Sequence, residues 1–340
     1  MKRFARLAVA SALISVLASA FALTAAAARP TDDALALVPP DSVTAGMLRV
    51  ADLRTSPLAA RFFAEFDKAT VDGDAAKFLA ETGLHPIDDV DLVVFAAQAG
   101  PHGRPLVAFE GRFEPQRLAA AVASRGAQAR TAPGGTYFLL KDAKHPEHKG
   151  DGAVAFVSDR LLVAGSEEAV VKALAARAAG GTGFTGGTGL GAQLDKVDRN
   201  ASGWLLVDRT KLPEAKRSMT ISGEGDAARN VIGAMNLVST FTFQMTVKGD
   251  SIRLSGAGYS DDADTRDLLQ DALRGVLAAT RIASQEKPEV VSAIRKFKVE
   301  TDRNAVTISG TLDGATIKSL SDAKARREKA AAAEKKAATQ

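Results

Sequence analysis

The strongest constraint on the fold of this chain is a strict alternation of apolar and polar residues toward its C-terminal end. In residues 241–254 every second residue is apolar, and only Gly249 and Asp250 interrupt the pattern. The same alternation runs through residues 297–312, with a polar break at 302–304. A period of two places successive side chains on opposite faces of a strand. The pattern therefore predicts antiparallel strands, joined as hairpins, with one face buried and one face in water.

A different pattern marks residues 153–179, where two short apolar runs precede a helical repeat. The runs flank residues 158–160 (Ser-Asp-Arg), a polar trio of the kind that closes a hairpin. Ser166 stands where a helix N-cap is needed, and Glu167 and Glu168 place negative charge at the positive end of the helix dipole. Apolar residues then recur at helical spacing, at Val170, Val171, Leu174 and Ala178. This stretch predicts a β-β-α unit whose helix has one apolar face.

The same succession of a strand, a glycine, a polar helix start and helically spaced apolar residues occurs four times, in residues 107–122, 161–174, 253–269 and 307–320. It predicts an α+β fold, with a mainly antiparallel sheet or sheets built from repeated β-β-α units and helices packed on one face. A true internal repeat and the generic chemistry of strand-to-helix junctions both account for the likeness. Residues 91–97 are continuously apolar after Asp91, which predicts a strand covered on both faces.

The first 28 residues have the pattern of a cleaved signal peptide. Lys2, Arg3 and Arg6 make a basic start, residues 7–23 are uncharged and mostly apolar, and residues 26–28 are alanines. The alternative is an uncleaved anchor, since an apolar run of about 17 residues reaches the lower limit for a membrane span. With cleavage before residue 29, we expect a periplasmic or secreted protein that is soluble and has no further transmembrane segment.

Composition shifts divide the remaining chain into three predicted parts. Residues 29–212 form an N-terminal α+β lobe and residues 213–322 form a C-terminal α+β lobe, because the sequence turns polar and glycine-containing after residue 212. Residues 323–340 form a basic, low-complexity tail. The tail is predicted to be either a frayed extension of the last helix or disordered.

The excess positive charge of the chain lies at its two ends. The net charge of +4 includes three basic residues in the leader, and the tail has six basic and two acidic residues, so the body between them is acidic. An acidic body lacks the basic surface that nucleic-acid binding requires, and no nucleic-acid partner is predicted. The sequence has no cysteine. Disulfides, thiolate nucleophiles, cysteine metal sites and an acylated lipoprotein anchor are therefore excluded.

One glycine-rich motif imitates a dinucleotide-binding fingerprint. Gly181, Gly183 and Gly186 match G-x-G-x-x-G, and Asp208, 22 residues later, imitates the acid that binds ribose. The fingerprint requires a strand before the glycines and a helix after them. Here a predicted helix precedes the glycines, so no cofactor is predicted, and residues 180–191 are expected to form a flexible loop.

Several other groups of polar residues are candidates for a site. His145 and His148, with Asp142, Glu147 and Asp151, have the donor atoms for a metal but lie in a loop that also contains proline, glycine and lysines.

Residues 88–91 (Asp-Asp-Val-Asp) resemble part of a calcium loop without its later glycine and glutamate. Residues 321–324 match S-x-x-K without companion motifs, and His85 and His102 each adjoin a proline in turn-like surroundings. We predict no catalytic, cofactor-binding or metal-binding residue.

Three segments resemble a pattern that recurs in uncharacterised exported proteins of Gram-negative bacteria. They are residues 35–46 (LALVPPDSVTAG), 83–94 (GLHPIDDVDLVV) and 110–118 (EGRFEPQRL). The resemblance covers about the first two-thirds of the chain. It implies export and an α+β body, and it implies no activity and no site residues.

These observations favour a non-catalytic exported protein that binds a partner or an apolar ligand between its sheet and helices in the cell envelope. One alternative is a hydrolase that uses buried carboxylates, because paired carboxylates have no sequence signature. The other is a structural envelope component whose basic tail contacts an envelope protein, anionic lipid or wall polymer. An enzyme is the less favoured interpretation.

Overall fold

The computed structural model describes residues 32–57, 59–60, 63–64, 73–99, 104–140, 152–212 and 236–337. The chain divides into two compact units, the first comprising Met1–Arg217 and Thr240–Val247 and the second comprising Ser218–Ser239 and Lys248–Gln340. The predicted signal peptide lies outside the described residues, as do residues 213–235, where the predicted C-terminal lobe begins. Both assignments stay predictions.

The first unit combines nine strands with short helices. Its strands are β1 (Ser42–Arg49), β2 (Val90–Gln98), β3 (Pro105–Gly111), β4 (Gln128–Ala132), β5 (Gly135–Leu140), β6 (Gly152–Phe156), β7 (Leu161–Ser166), β8 (Gly203–Asp208) and β9 (Thr240–Lys248). Its helices are α1 (Asp32–Ala36), α2 (Val50–Arg54), α3 (Gly73–Thr82), α4 (Pro86–Asp89), α5 (Pro115–Ala123) and α6 (Glu167–Ala178). The strands follow the order β9-β8-β1-β2-β3-β7-β6-β5-β4, and every neighbouring pair is antiparallel.

Strand β2 buries side chains in both directions. Leu92, Val94 and Ala96 belong to one buried cluster, and Val93 and Phe95 belong to a second one. Successive residues of a strand point to opposite faces, so the two clusters lie on opposite sides of the strands. The prediction that residues 91–97 form a strand covered on both faces is confirmed.

Helices cover each of these two faces in the first unit. Leu35 in α1 and Leu174 in α6 pack into the first cluster, whereas Phe78 in α3 and Leu118 in α5 pack into the second. The predicted α+β fold with antiparallel strands is confirmed. Helices lie on both faces here because β2 and β3 carry apolar residues at successive positions, and each face must be removed from water.

The glycine-rich segment after α6 is ordered, which corrects the expectation of a flexible loop. It forms 3₁₀ turns at Gly183–Gly186 and Gly189–Lys196, and Phe184 between the glycines is fully buried. The Phe184 ring stacks on Trp204, with 6.3 Å between ring centroids. A Cβ at Gly183 would collide with the Ala36 carbonyl oxygen, so this glycine allows the turn to lie against α1.

The second unit contains β10 (Ser251–Tyr259), β11 (Phe297–Thr301) and β12 (Ala305–Leu312), with α7 (Ala263–Ala283), α8 (Pro288–Ile294) and α9 (Gly314–Ala337). The strand order is β11-β12-β10 and both pairings are antiparallel, as the alternating pattern predicts. Leu269 of α7 packs with Val238 and Val306, so this helix covers one face of the strands. The four strand-to-helix successions are present in the order of elements, and their origin by duplication stays a prediction.

Two elements of the first unit differ from the sequence-based expectation. Strand β4 reads Gln-Ala-Arg-Thr-Ala and has no apolar alternation, and it forms by pairing with β5, from Gln128 opposite Leu139 to Ala132 opposite Gly135. Helix α2 follows β1 directly and was not predicted.

Of the two forms predicted for the tail, a helical extension and a disordered segment, the structure shows the helix. Helix α9 continues through Ala337, and Arg327 on it forms an ion pair with Glu289 of α8. In the ranges that the structure describes, no helix is both long enough and apolar enough to cross a membrane.

Candidate functional site

The predicted cap at Ser166 is confirmed and belongs to a larger polar contact. The Ser166 hydroxyl accepts a hydrogen bond from the Ala169 amide at 3.4 Å. Next to it, the Glu167 carboxylate accepts hydrogen bonds from the Tyr137 hydroxyl at 2.7 Å and from the Arg130 guanidinium at 2.8 Å. The hydrogen bond to Glu167, together with burial, raises the pKa of Tyr137. The start of α6 is thus tied to the β4–β5 hairpin.

The residues that imitate a dinucleotide fingerprint have structural contacts instead. Gly181, Gly183 and Gly186 lie in the turns that follow α6. Asp208 is buried, accepts hydrogen bonds from the Thr210 amide at 3.0 Å and hydroxyl at 2.6 Å, and lies 3.1 Å from the Lys211 ammonium. Its carboxylate caps the short turn at Arg209–Lys211.

The acidic run at residues 88–91 is paired with arginines and backbone amides. The Asp91 carboxylate lies 2.7 Å from the Arg54 guanidinium, which also donates to the carbonyls of Ile87 and Val90. The Asp89 carboxylate accepts a hydrogen bond from the His85 amide at 2.7 Å, at the start of α4. These contacts give the run a structural role in anchoring α2 and α4.

The remaining candidates are not brought together into a site. His102, His145 and His148 lie outside the described residues, as do Asp142, Glu147 and Asp151. The S-x-x-K motif at residues 321–324 lies within α9. Among the residues that the structure describes, no three histidine, aspartate or glutamate side chains are grouped so that they could hold a metal ion.

A buried carboxylate that sequence reasoning missed lies on β3. Glu110 is only 8% exposed, and its Oε1 accepts a hydrogen bond from the Ala34 amide at 2.9 Å. The signal in the sequence is a single acidic residue within an apolar strand, which normally requires a partner. Its partner is the first turn of α1, whose amides have no partner within the helix.

Three carboxylates in the described part of the chain have lowered pKa values. A hydrogen bond from Arg125 lowers the pKa of Glu81, and hydrogen bonds from Thr265 lower that of Asp262. The Lys296 ammonium lowers the pKa of Asp313 strongly. A carboxylic acid that serves as a general acid near neutral pH needs the opposite displacement.

Helix α7 carries a partly exposed apolar row beside its buried face. Ala272 and Ala279 in this row are half-buried, and Ala272 packs against the cluster around Leu269. Successive members are four and three residues apart, so they lie along one side of the helix, and we call them the α7 ridge: Leu268, Ala272, Gly275, Ala279 and Ile282. Leu268 is 51% exposed and Ile282 is 66% exposed, whereas the neighbouring Leu269 is 2% exposed. At Gly275 an added side chain would have no atom within 4 Å.

Charged residues on α7 are distributed unevenly along its length. The first half contains three acidic residues, Asp264, Asp267 and Asp271, and the second half contains Arg274 and Arg281. Arg266 is also in the first half, where its guanidinium donates to the Ser260 carbonyl at 2.8 Å. Sequence reasoning missed this exposed side of α7. The four-three spacing of the ridge was the signal that could have indicated a second side.

No protein-family model and no curated protein matches the sequence. Among solved structures, the chain is similar to crystal form III of TP0453, with 9% identity and a TM-score of 0.45 over 84% of this chain and 97% of that chain. Crystal form I of TP0453 matches with 10% identity and a TM-score of 0.42 over 87% and 99%, and crystal form IV with 9% identity and a TM-score of 0.43 over 84% and 96%. At these values the likeness assigns neither a family nor an activity to the chain.

Proposed function

We propose that this chain is a non-catalytic exported protein that binds, in the cell envelope, a partner with an apolar helical surface. The α7 ridge carries the proposal, because it leaves Leu268 and Ile282 half or more exposed on one row of a well-ordered helix. An apolar row at helical spacing is the feature that another helix recognises. The leader at residues 1–28 and the resemblance to exported Gram-negative proteins support the location.

The roles of the buried carboxylates favour binding over chemistry. Glu110 caps α1, Asp208 caps the turn after β8, and Glu167 joins α6 to the β4–β5 hairpin. Each of these groups has a partner in the fold that accounts for its position. The lowered pKa values of Glu81, Asp262 and Asp313 do not suit these three groups to act as a general acid near neutral pH.

The packing of the first unit favours a macromolecular partner over an apolar ligand held between sheet and helices. Met47, Val163 and Leu174 are almost fully buried in one cluster between the strands and α6. Side chains at this depth fill the space that such a ligand would need.

The proposal is tested by site-specific photo-crosslinking in a Gram-negative host that expresses the full chain with its leader. A photoreactive residue at position 282 is expected to give a covalent adduct in the envelope fraction. The matched control is position 274, which is exposed on another side of the same helix. An adduct at 274 but not at 282, or none at either position, would overturn the proposed surface.

A further inference from the structure

We infer that the partner is a second copy of this chain, and that two α7 helices pack antiparallel around Gly275. The inference rests on the proposed function, since it uses the same ridge. It adds the identity of the partner and the orientation of the pair.

The ridge is nearly symmetric about its central glycine. Leu268 lies seven residues before Gly275 and Ile282 lies seven residues after it, with Ala272 and Ala279 between them. In an antiparallel pair centred on Gly275, Leu268 of one copy faces Ile282 of the second copy, and the alanines face each other. A twofold interface requires a self-complementary surface of this kind.

The exposed glycine has no explanation within the described part of its own chain. Gly275 lies in the middle of a 21-residue helix, where glycine costs about 1 kcal/mol relative to alanine. No atom lies near the place where its side chain would be. Two helices cross more closely where both present a small residue, and a crossing at Gly275 gives this position a packing role.

The charges of α7 select the antiparallel orientation. On the N-terminal side of the Gly275 crossing, α7 carries three aspartates and two arginines, and on the C-terminal side Arg281 is its one charged residue. An antiparallel pair therefore places the net negative part of one copy beside the net positive part of the second copy. A parallel pair would place the three aspartates beside each other. Antiparallel helices also bring opposite ends of the two helix dipoles together.

The same charges disfavour an anionic lipid surface as the occupant. Asp264 and Asp271 lie three or four residues from ridge members, so they are adjacent to the ridge on the helix surface. Membrane-surface helices carry lysine and arginine in these flanking positions.

A single pair of helices buries less surface than most stable dimers, so we expect reversible dimerisation in roughly the micromolar range.

The absence of cysteine makes a direct test possible, because any introduced cysteine is the only thiol in the chain. Gly275→Cys should form a disulfide-linked dimer under mild oxidation, since position 275 faces itself across the twofold axis. Leu268→Cys alone and Ile282→Cys alone should form no disulfide-linked dimer, because in each homodimer the two thiols lie about 20 Å apart. An equimolar mixture of these two variants should form the disulfide.

Asp267→Cys is the control for random collision, because it lies on the same helix outside the ridge. Sedimentation equilibrium gives an independent readout: Ile282→Asp should weaken dimerisation at least tenfold, and Ile282→Val should retain it. Circular dichroism checks that each variant is folded.

Several outcomes would overturn the inference. Cross-linking of Leu268→Cys with itself would indicate a parallel pair. A chain that stays monomeric and gives no Gly275→Cys disulfide would exclude a second copy. In that case, a photo-adduct at position 282 with a different protein would retain the proposed function, and an adduct with lipid would replace both proposals.

Discussion

The carboxylate of Glu110 accepts a hydrogen bond from the backbone amide of Ala34 at 2.9 Å, so β3 caps a helix that lies 76 residues earlier in the chain. The contact is buried, and a buried charged acceptor needs this kind of donor. It fixes α1 against the face of the strands that this helix covers.

Removal of the Glu110 carboxylate should destabilise the first unit. We expect Glu110→Ala to lower the free energy of unfolding by about 1–3 kcal/mol, because the Ala34 amide loses its acceptor inside the protein. Glu110→Gln keeps a carbonyl oxygen and should cost less. Urea denaturation measures both. Equal losses for the two variants would show that the hydrogen bond to Ala34 does not contribute.

The N-cap at Ser166 provides a second test. Ser166→Ala should lower stability by about 0.5–2 kcal/mol, and the long distance of 3.4 Å to the Ala169 amide favours the lower part of this range. Ser166→Asp supplies another capping oxygen and should restore most of the loss. If Ser166→Asp is as unstable as Ser166→Ala, the side chain at this position does not act as a cap.

The Tyr137–Glu167 contact should make stability depend on pH in the alkaline range. Because the folded state raises the pKa of Tyr137, the folded protein holds the phenol proton more tightly than the unfolded chain does. This stabilisation is therefore complete below the unfolded pKa of about 10 and is lost as the pH rises through the folded pKa.

Tyr137→Phe isolates this effect. We expect the variant to be about 0.5–1.5 kcal/mol less stable than the natural protein near pH 7, and the difference should shrink above pH 10. Denaturation curves at several pH values provide the measurement. A difference that grows with pH would contradict the direction of the pKa displacement.

Two threonines on β9 form a matched pair for a test of buried hydroxyl groups. The Thr242 hydroxyl is fully buried and has no hydrogen-bond partner among the described residues, whereas the Thr240 hydroxyl donates to Gln193 Oε1 at 2.5 Å. Thr242→Val should raise the free energy of unfolding by about 1 kcal/mol, because an unsatisfied polar group is removed without loss of volume.

Thr240→Val should have the opposite effect, since it removes the shorter of the two hydrogen bonds that Gln193 Oε1 accepts, the other being from Lys196 at 3.1 Å. Calorimetric unfolding of the two variants compares them directly. A stabilising Thr240→Val, or a destabilising Thr242→Val, would contradict these assignments.

Much of the local structure could be predicted because its causes lie close together in the sequence. The strands in residues 241–254 and the hairpin in residues 297–312 follow from strict alternation, and the start of α6 follows from Ser166 and the glutamates beside it. The succession in residues 253–269 predicts a helix start there, and α7 begins after its cap Asp262. Each of these features depends on side chains within a few residues of one another.

The candidate site was less predictable, because exposure depends on packing. The sequence of α7 contains two apolar rows, and periodicity alone does not say which one is covered. The structure buries Leu269 against Val306 and leaves Leu268 and Ile282 exposed.

By itself, the sequence determined the α+β class, the antiparallel hairpins and the helix caps, because propensity, alternation and capping act over short distances. Only the tertiary structure decided that Glu110 caps α1, that the polar segment β4 is a strand, and that the turn containing Phe184 is ordered. These features arise from contacts between residues far apart in the chain: the Ala34 amide, the paired strand β5 and the Trp204 ring. A sequence pattern indicates which side chains can be buried, and the tertiary structure determines which residues they contact.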